Sequence, residues 1–337
     1  RSPASHTRGL CRDGGRHSAF DLFAQSSARR PSEEAQVRKI LIIAALSLGC
    51  GLLPAQAQEI AFTFDDLPAH STLPPSESRM DIANSVIATW KAENMPPVFG
   101  FVNGIRIEQE PLSAPVLPAW RAAGFPLGNH TWSHMNLNTN SLRDFENDLL
   151  KNENLLARLM PGKDWRWLRF PYLAEGNTPE KSANMRAFLA RHHYKIAAVT
   201  MSFSDYLWNE PYARCSAKGD TAAIAGMESS YLQSAMDSIG FYRAMSKVLY
   251  GRDIPYVLLM HIGAFDAHML PRLIALYRAQ GFKFVTLQQA ESDPFYRNDL
   301  NPKLPGNPDT LEAAMQAKNL ALPAHHSYDA EMAALCR

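Results

Sequence analysis

From residue 58 onward, short apolar runs alternate with segments whose apolar residues recur at helical spacing. Runs near 59–64, 97–102, 125–129, 165–170, 194–200, 255–261 and 282–286 predict seven strands. Between them, Ser141 precedes Leu142, Phe145, Leu149, Leu156 and Leu159, with Asp144 three residues after the serine in the manner of a capping box, which predicts a helix start. Thr178-Pro179 predicts another, since proline is tolerated in a first helical turn. The segments near 79–93 and 267–280 are also amphipathic, and Gly281 suits a helix stop. Strict alternation of strand and helix predicts a parallel sheet covered by helices, either a barrel or an open doubly wound sheet.

Four polar clusters decide between those two. Thr63-Phe64-Asp65-Asp66 closes the first strand, His130-Thr131-Trp132-Ser133-His134 the third, Arg169-Phe170-Pro171-Tyr172 the fourth and Leu258-Leu259-Met260-His261 the sixth. The C-terminal ends of barrel strands converge on one mouth, whereas an open sheet spreads several along an edge, so an α/β barrel is expected. Residues 202–219 are polar and aromatic, and the helical stretch 221–249 is longer than a crossover needs; together they are expected to wall or cover the mouth. Beyond Asp293 the chain turns rich in Pro and Asn, with a short helix expected after Asp309 and a loose tail.

Composition fits this plan. The 337 residues, 46% hydrophobic and 20% charged, suit a globular protein with a large core. Residues 37–57 read as a secretory signal: Val37-Arg38-Lys39, an apolar run from Ile40 to Leu53, and Ala55-Gln56-Ala57 before the expected cleavage. That run ends in Pro54, short of the ~20 residues a bilayer span needs, so no stable membrane span is expected. Residues 1–36 are rich in Arg, Ser and Gly and read as an upstream extension, with translation expected to start at Val37. The domain plan is therefore 1–36 upstream extension, 37–57 signal, 58–292 barrel and 293–337 C-terminal extension, in an exported protein, periplasmic or secreted from a bacterium. Removing 1–57 leaves 26 basic against 29 acidic residues, a net charge of −3, which offers no footprint for nucleic acid. Cys215 and Cys336 then remain, and sequence leaves open both a disulfide and two free thiols.

Each cluster carries chemistry and also a plainer reading. Adjacent carboxylates repel unless a cation separates their roles, yet Asp-Asp also occurs in solvated turns. Two histidines four apart can share a metal if the backbone between them makes about one helical turn. No Glu follows His130, so the zinc-protease signature is absent. Arg169 can clamp a carboxylate or form an ordinary salt bridge. His261 ends an apolar run, where Asp205 is the candidate partner that would hold it protonated near neutral pH. His70, His192, His193, His268, His325 and His326 lack such partners and read as solvated or structural.

Order joins the clusters. The sequence resembles the polysaccharide deacetylase family, carbohydrate esterases that share the chitooligosaccharide deacetylase homology domain, from about Glu59 to Leu287. Its five motifs appear in family order as Thr63 to Asp66, His130 to His134, Arg169 to Tyr172, Ser204-Asp205 to Trp208, and Leu259 to His261. The resemblance implies a distorted, incomplete (β/α)7 TIM-like barrel. It also implies that Asp66, His130 and His134 hold a divalent metal, zinc first, with cobalt or manganese as alternatives. Asp65 would be the general base oriented by Arg169, and His261 the general acid tuned by Asp205. The Tyr172 backbone N–H would bind the oxyanion, Leu259 would line the acetyl pocket, and Trp132, Tyr172 and Trp208 are candidate sugar-stacking platforms. Leu67 stands where the family usually has Gly, and Ile262 where Asp is common, which bears on substrate choice.

The function so implied is removal of N-acetyl groups from a glycan or oligosaccharide. Hydrolysis of O-acetyl esters or of a small amide would use the same site. A non-catalytic glycan-binding protein would show degraded motifs, whereas Asp65, Arg169 and His261 are all retained.

Overall fold

Strand β1 (Gln58–Leu67) lies inside the sheet and is buried from Ile60 onward, as expected for a parallel strand covered on both faces. The computed structural model describes residues 58–337; the upstream extension and signal expected at 1–57 lie outside the described residues. After β1 come α1 (Arg79–Ala92), β2 (Phe99–Val102), α2 (Val116–Ala122), β3 (Leu127–Asn129), α3 (Leu142–Leu159), β4 (Trp167–Leu168), α4 (Pro179–Arg191) and β5 (Lys195–Ile196). The second part holds α5 (Asn209–Lys218), α6 (Thr221–Tyr250), β6 (Tyr256–His261), α7 (Ala264–Ala279), β7 (Phe282–Phe284) and α8 (Leu311–Ala317).

All seven strands are parallel, in the order β5-β4-β3-β2-β1-β6, with β7 paired to the start of β1. Alternation along β1 sorts its side chains. Ile60, Phe62 and Phe64 face the helices, where both phenylalanines meet Trp90 edge-on at 5.7 Å, a geometry worth roughly 0.5–1.5 kcal/mol beyond burial. Ala61 belongs instead to a smaller cluster with Phe99, Phe101, Trp167, Ala197 and Val257, which fills the barrel below the mouth.

Two expected strands are cut short. The runs at 165–170 and 194–200 yield only two ladder residues each in β4 and β5. The chain after β5 turns away from β4 toward β6, where Met201 bridges Leu258 and the Leu259 N–H donates to the Met201 carbonyl at 3.1 Å. The sheet order with two-residue β4 and β5, linked to β6 through one isolated bridge, is that of a distorted, incomplete (β/α)7 barrel.

Helix ends follow their sequence signals. Ser141, Thr178 and Thr310 each accept a hydrogen bond from the third residue of the helix that follows, and Gly281 sits at φ +79° after α7. The 293–337 extension packs onto the barrel, with Leu311 and Met315 in the main core and a Cys215–Cys336 disulfide tying the tail to α5. Among the described residues, no helix is long and apolar enough to cross a membrane.

Candidate active site

The end of β1 builds the centre of the site. Its ladder with β6 runs to the pair Asp65–His261, while its register with β2 shifts between Phe64 and Leu67. Adjacent strand residues normally point to opposite faces, but Asp66 adopts φ +64°, so both carboxylates line the same cavity. Asp65 is buried, and Arg169 Nη1 lies 3.1 and 3.2 Å from its two oxygens. The remaining guanidinium donors are also used: Nη2 reaches Thr63 Oγ1 at 3.0 Å, and Nε the Ala197 carbonyl at 2.8 Å. Arg169 is therefore a fully satisfied buried cation that fixes one orientation of Asp65.

Beside it lies a set of groups that could hold a metal ion. No helix connects His130 and His134, contrary to the single-turn expectation; left-handed backbone at Thr131 (φ +60°) and His134 (φ +58°) brings the rings together instead. Both Nε2 atoms lie 3.5 Å from Asp66 Oδ1, too far for a good hydrogen bond. That oxygen is buried and has no hydrogen-bond partner. His130 Nδ1 donates to the Arg169 carbonyl at 2.7 Å, which turns the Nε2 lone pair toward Asp66. One carboxylate oxygen and two imidazole nitrogens within 4.8 Å of one another suit a divalent cation such as zinc.

The charge states agree with that set. Burial and the neighbouring His130 push His134 down to about 3, leaving a neutral imidazole able to coordinate. Burial by itself would raise the Asp66 carboxyl, but the hydrogen bond from His70 and the electrostatic influence of His70, His134 and His130 together outweigh it and hold the acid well below its usual range.

His70 corrects the sequence reading, which left it without a partner. Its Nδ1 donates to Asp66 Oδ2 at 2.8 Å, and its ring lies 4.7 Å from that of His261. Burial lowers its pKa, and the ring stands between Asp66 and His261. His261 is the opposite case. Burial would lower it, yet the charge and hydrogen bonds of Asp205 raise it to about 10. Asp205 accepts from His261 Nδ1 at 3.0 Å and from the His261 backbone N–H at 2.6 Å, so the imidazolium keeps Nε2 free.

These groups surround one cavity of about 640 Å³, within the range of small-molecule sites. Leu259 and Tyr172 line it, and the Tyr172 ring, 67% exposed, lies 4.6 Å from His134 on left-handed backbone at φ +60°. The two tryptophans do not join them. Trp208 is fully buried and donates to Ser230 Oγ, so it has no free face for a sugar. Trp132 is absorbed by Gly104, where a Cβ would come within 2.3 Å of its ring, and by Lys151 Nζ 4.2 Å above its centroid. Tyr242 from α6 and Thr310 and Glu312 from the start of α8 also line the cavity, and none of them carries a motif in the sequence. A larger cleft of about 950 Å³ between α4 and residues 302–307 has no carboxylate in its lining and offers no comparable chemistry.

Residues 53–217 match the family model described as polysaccharide deacetylase. No curated protein matches the chain. Among solved structures, the chain is similar to a T48 deacetylase with substrate, at 18% identity over 71% of this chain and 92% of that one, TM-score 0.47. It is similar to the peptidoglycan deacetylase PdaC from Bacillus subtilis, at 18% identity over 78% and 96%, TM-score 0.47. A mutant CE4 family pseudoenzyme with restored enzymatic activity aligns at 16% identity over 70% and 68%, TM-score 0.48.

Proposed function

The chain belongs to the polysaccharide deacetylase family, and from that premise we propose that it is a metal-dependent hydrolase that removes N-acetyl groups from a glycan or oligosaccharide. One observation carries the reading: Asp66 Oδ1 is buried, lacks any hydrogen-bond partner, and sits 3.5 Å from two histidine Nε2 atoms. A carboxylate oxygen in that position costs free energy unless a cation occupies the space between the three groups. Asp66, His130 and His134 are the residues that would hold it. A divalent metal bound there, zinc first with cobalt or manganese as alternatives, would polarise the acetyl carbonyl and acidify water.

The remaining steps belong to the chain's own groups. Asp65, oriented by Arg169 and not a ligand in this reading, takes the proton from the attacking water. The Tyr172 backbone N–H stabilises the oxyanion that forms on the acetyl oxygen. His261 gives its proton to the departing nitrogen from Nε2, while Asp205 holds the ring. The C–N bond breaks, and acetate and a free amine leave. Leu259 offers an apolar contact for the acetyl methyl.

Export is part of the proposal. The Cys215–Cys336 disulfide fits an oxidising compartment, and with the signal-like 37–57 segment it supports a periplasmic or secreted enzyme. The test is acetate release from N-acetylglucosamine oligomers by the zinc-loaded protein, run beside O-acetylated xylan. Release that stops on chelation and returns with zinc is expected. Release from the ester alone, or activity untouched by chelation, overturns the N-acetyl assignment or the metal respectively.

A further inference from the structure

The side of the cavity opposite β1 is built from residues beyond the family match. Tyr242 comes from the middle of α6, and Thr310 and Glu312 from the start of α8, in the C-terminal extension. Glu312 Oε1 accepts from the Tyr242 hydroxyl at 2.6 Å, which pins the carboxylate. Glu312 Oε2 is shielded from solvent and has no hydrogen-bond partner. An acceptor left so is expensive unless a donor reaches it. No lysine, arginine or histidine of the protein forms an ion pair with Glu312 among the described residues. The only large void that Glu312 lines among the described cavities is the one holding Asp65, Asp66 and His261.

We propose that Glu312, held by Tyr242, is a substrate-recognition group of this site that accepts a hydrogen bond from a hydroxyl or amine of a short oligosaccharide. This deepens the deacetylase reading and rests on it for the identity of the ligand as a sugar. A carboxylate in a cavity partly closed to water attracts donors and repels anions, so the substrate class is a neutral or amino-bearing oligosaccharide rather than one carrying carboxylate, sulfate or phosphate. The cavity of about 640 Å³ has room for one or two sugar rings.

The test compares wild type with Glu312→Gln, which keeps the side-chain length and an oxygen for Tyr242, and with Tyr242→Phe, which releases the carboxylate. Binding of di-N-acetylchitobiose and of the glucosamine dimer is measured by calorimetry on the zinc-loaded proteins, and KM and kcat are measured from acetate release by di-N-acetylchitobiose. Loss of a charge-assisted hydrogen bond predicts Kd and KM raised about 10- to 100-fold in Glu312→Gln, with a smaller rise in Tyr242→Phe and a smaller change in kcat than in KM. Comparable losses for the two sugars assign a hydroxyl, which both carry; a larger loss for the dimer of glucosamine assigns an amine, and a loss confined to the diacetylated sugar overturns the hydroxyl-or-amine assignment. Equal affinities in wild type and Glu312→Gln, or no binding of either sugar by wild type, overturn the proposal. If wild type binds sugar and loses it with Glu312→Gln yet releases no acetate, the deacetylase reading fails while the recognition group stands.

Discussion

The stretch from β1 to α5 and the stretch from α6 to the C terminus meet at one cavity but build their shares of it differently. The first supplies Asp65, Asp66, His130, His134, Arg169 and Tyr172, each within a few residues of a strand end, and Asp205 from the turn that follows β5. Six non-glycine residues there hold left-handed backbone at or beside these groups: Asp66, Thr131, His134, Tyr172, Leu173 and Ser204. Such conformations cost about 1–3 kcal/mol each and persist only where surrounding structure enforces them, as buried Asn103 and Asn152 do by donating to carbonyls of the His130 loop. The second stretch supplies His261 and Leu259 from an ordinary strand and Tyr242 and Glu312 from ordinary helices. The carboxylates and histidines of the first stretch are placed by local backbone geometry, whereas Tyr242 and Glu312 are placed by packing between distant helices.

Substitutions can break this division, beginning with Asp65, the proposed base. Asp65→Asn is expected to lower kcat by about 10²–10⁴-fold while the protein retains zinc, measured by acetate release and metal analysis of the same sample. Retained activity removes Asp65 from the base role. Arg169→Ala leaves a buried carboxylate without its cation and is expected to cost about 3–5 kcal/mol in urea unfolding. A much smaller cost would mean that the first stretch is not locked as described.

His70→Ala sharpens the comparison, because His70 belongs to the first stretch yet touches His261 of the second. Removing its hydrogen bond to Asp66 is expected to weaken zinc about 10–100-fold in a chelator competition, the usual consequence of losing an outer partner of a ligand. The smallest effect is a displacement along the pH axis. His261 is raised from the ordinary 6.5 to about 10, so the pair with Asp205 stabilises the fold fully below pH 6.5 and loses that contribution as pH climbs through about 10. Asp205→Asn should therefore move the alkaline limb of kcat toward neutrality, with activity near pH 6 changed least. An unmoved limb would dissociate His261 from the proton-donor role.

The same division explains what sequence could reveal. Strands were legible because β1 and β6 are long apolar runs, and the barrel followed from polar residues at the ends of four of them. The lengths of β4 and β5 were not, since the departure of residues 197–201 toward β6 depends on a tertiary bridge. His70 lies only four residues from its partner, but the 68–75 loop has no periodicity from which a contact could be read. Trp132 and Trp208 looked like platforms because aromatics near a barrel mouth serve either sugar or core, and the neighbouring Gly104 and Ser230 that decide the matter are remote in sequence. Glu312 meets Tyr242 across 70 residues, and Cys215 meets Cys336 across 121. Single-sequence patterning carries no register for such pairs.

The disulfide makes a covalent ring of everything between Cys215 and Cys336, which includes Tyr242, His261 and Glu312. A protease that cuts one peptide bond inside that ring, for example in the Pro-rich 302–308 segment, opens the chain without creating a second molecule. The two pieces stay joined until a reductant is added, so a nicked protein runs as one band on a non-reducing gel and as two after reduction. After such a cut, Glu312 stays covalently attached to the piece that carries Asp66, His130, His134 and His261.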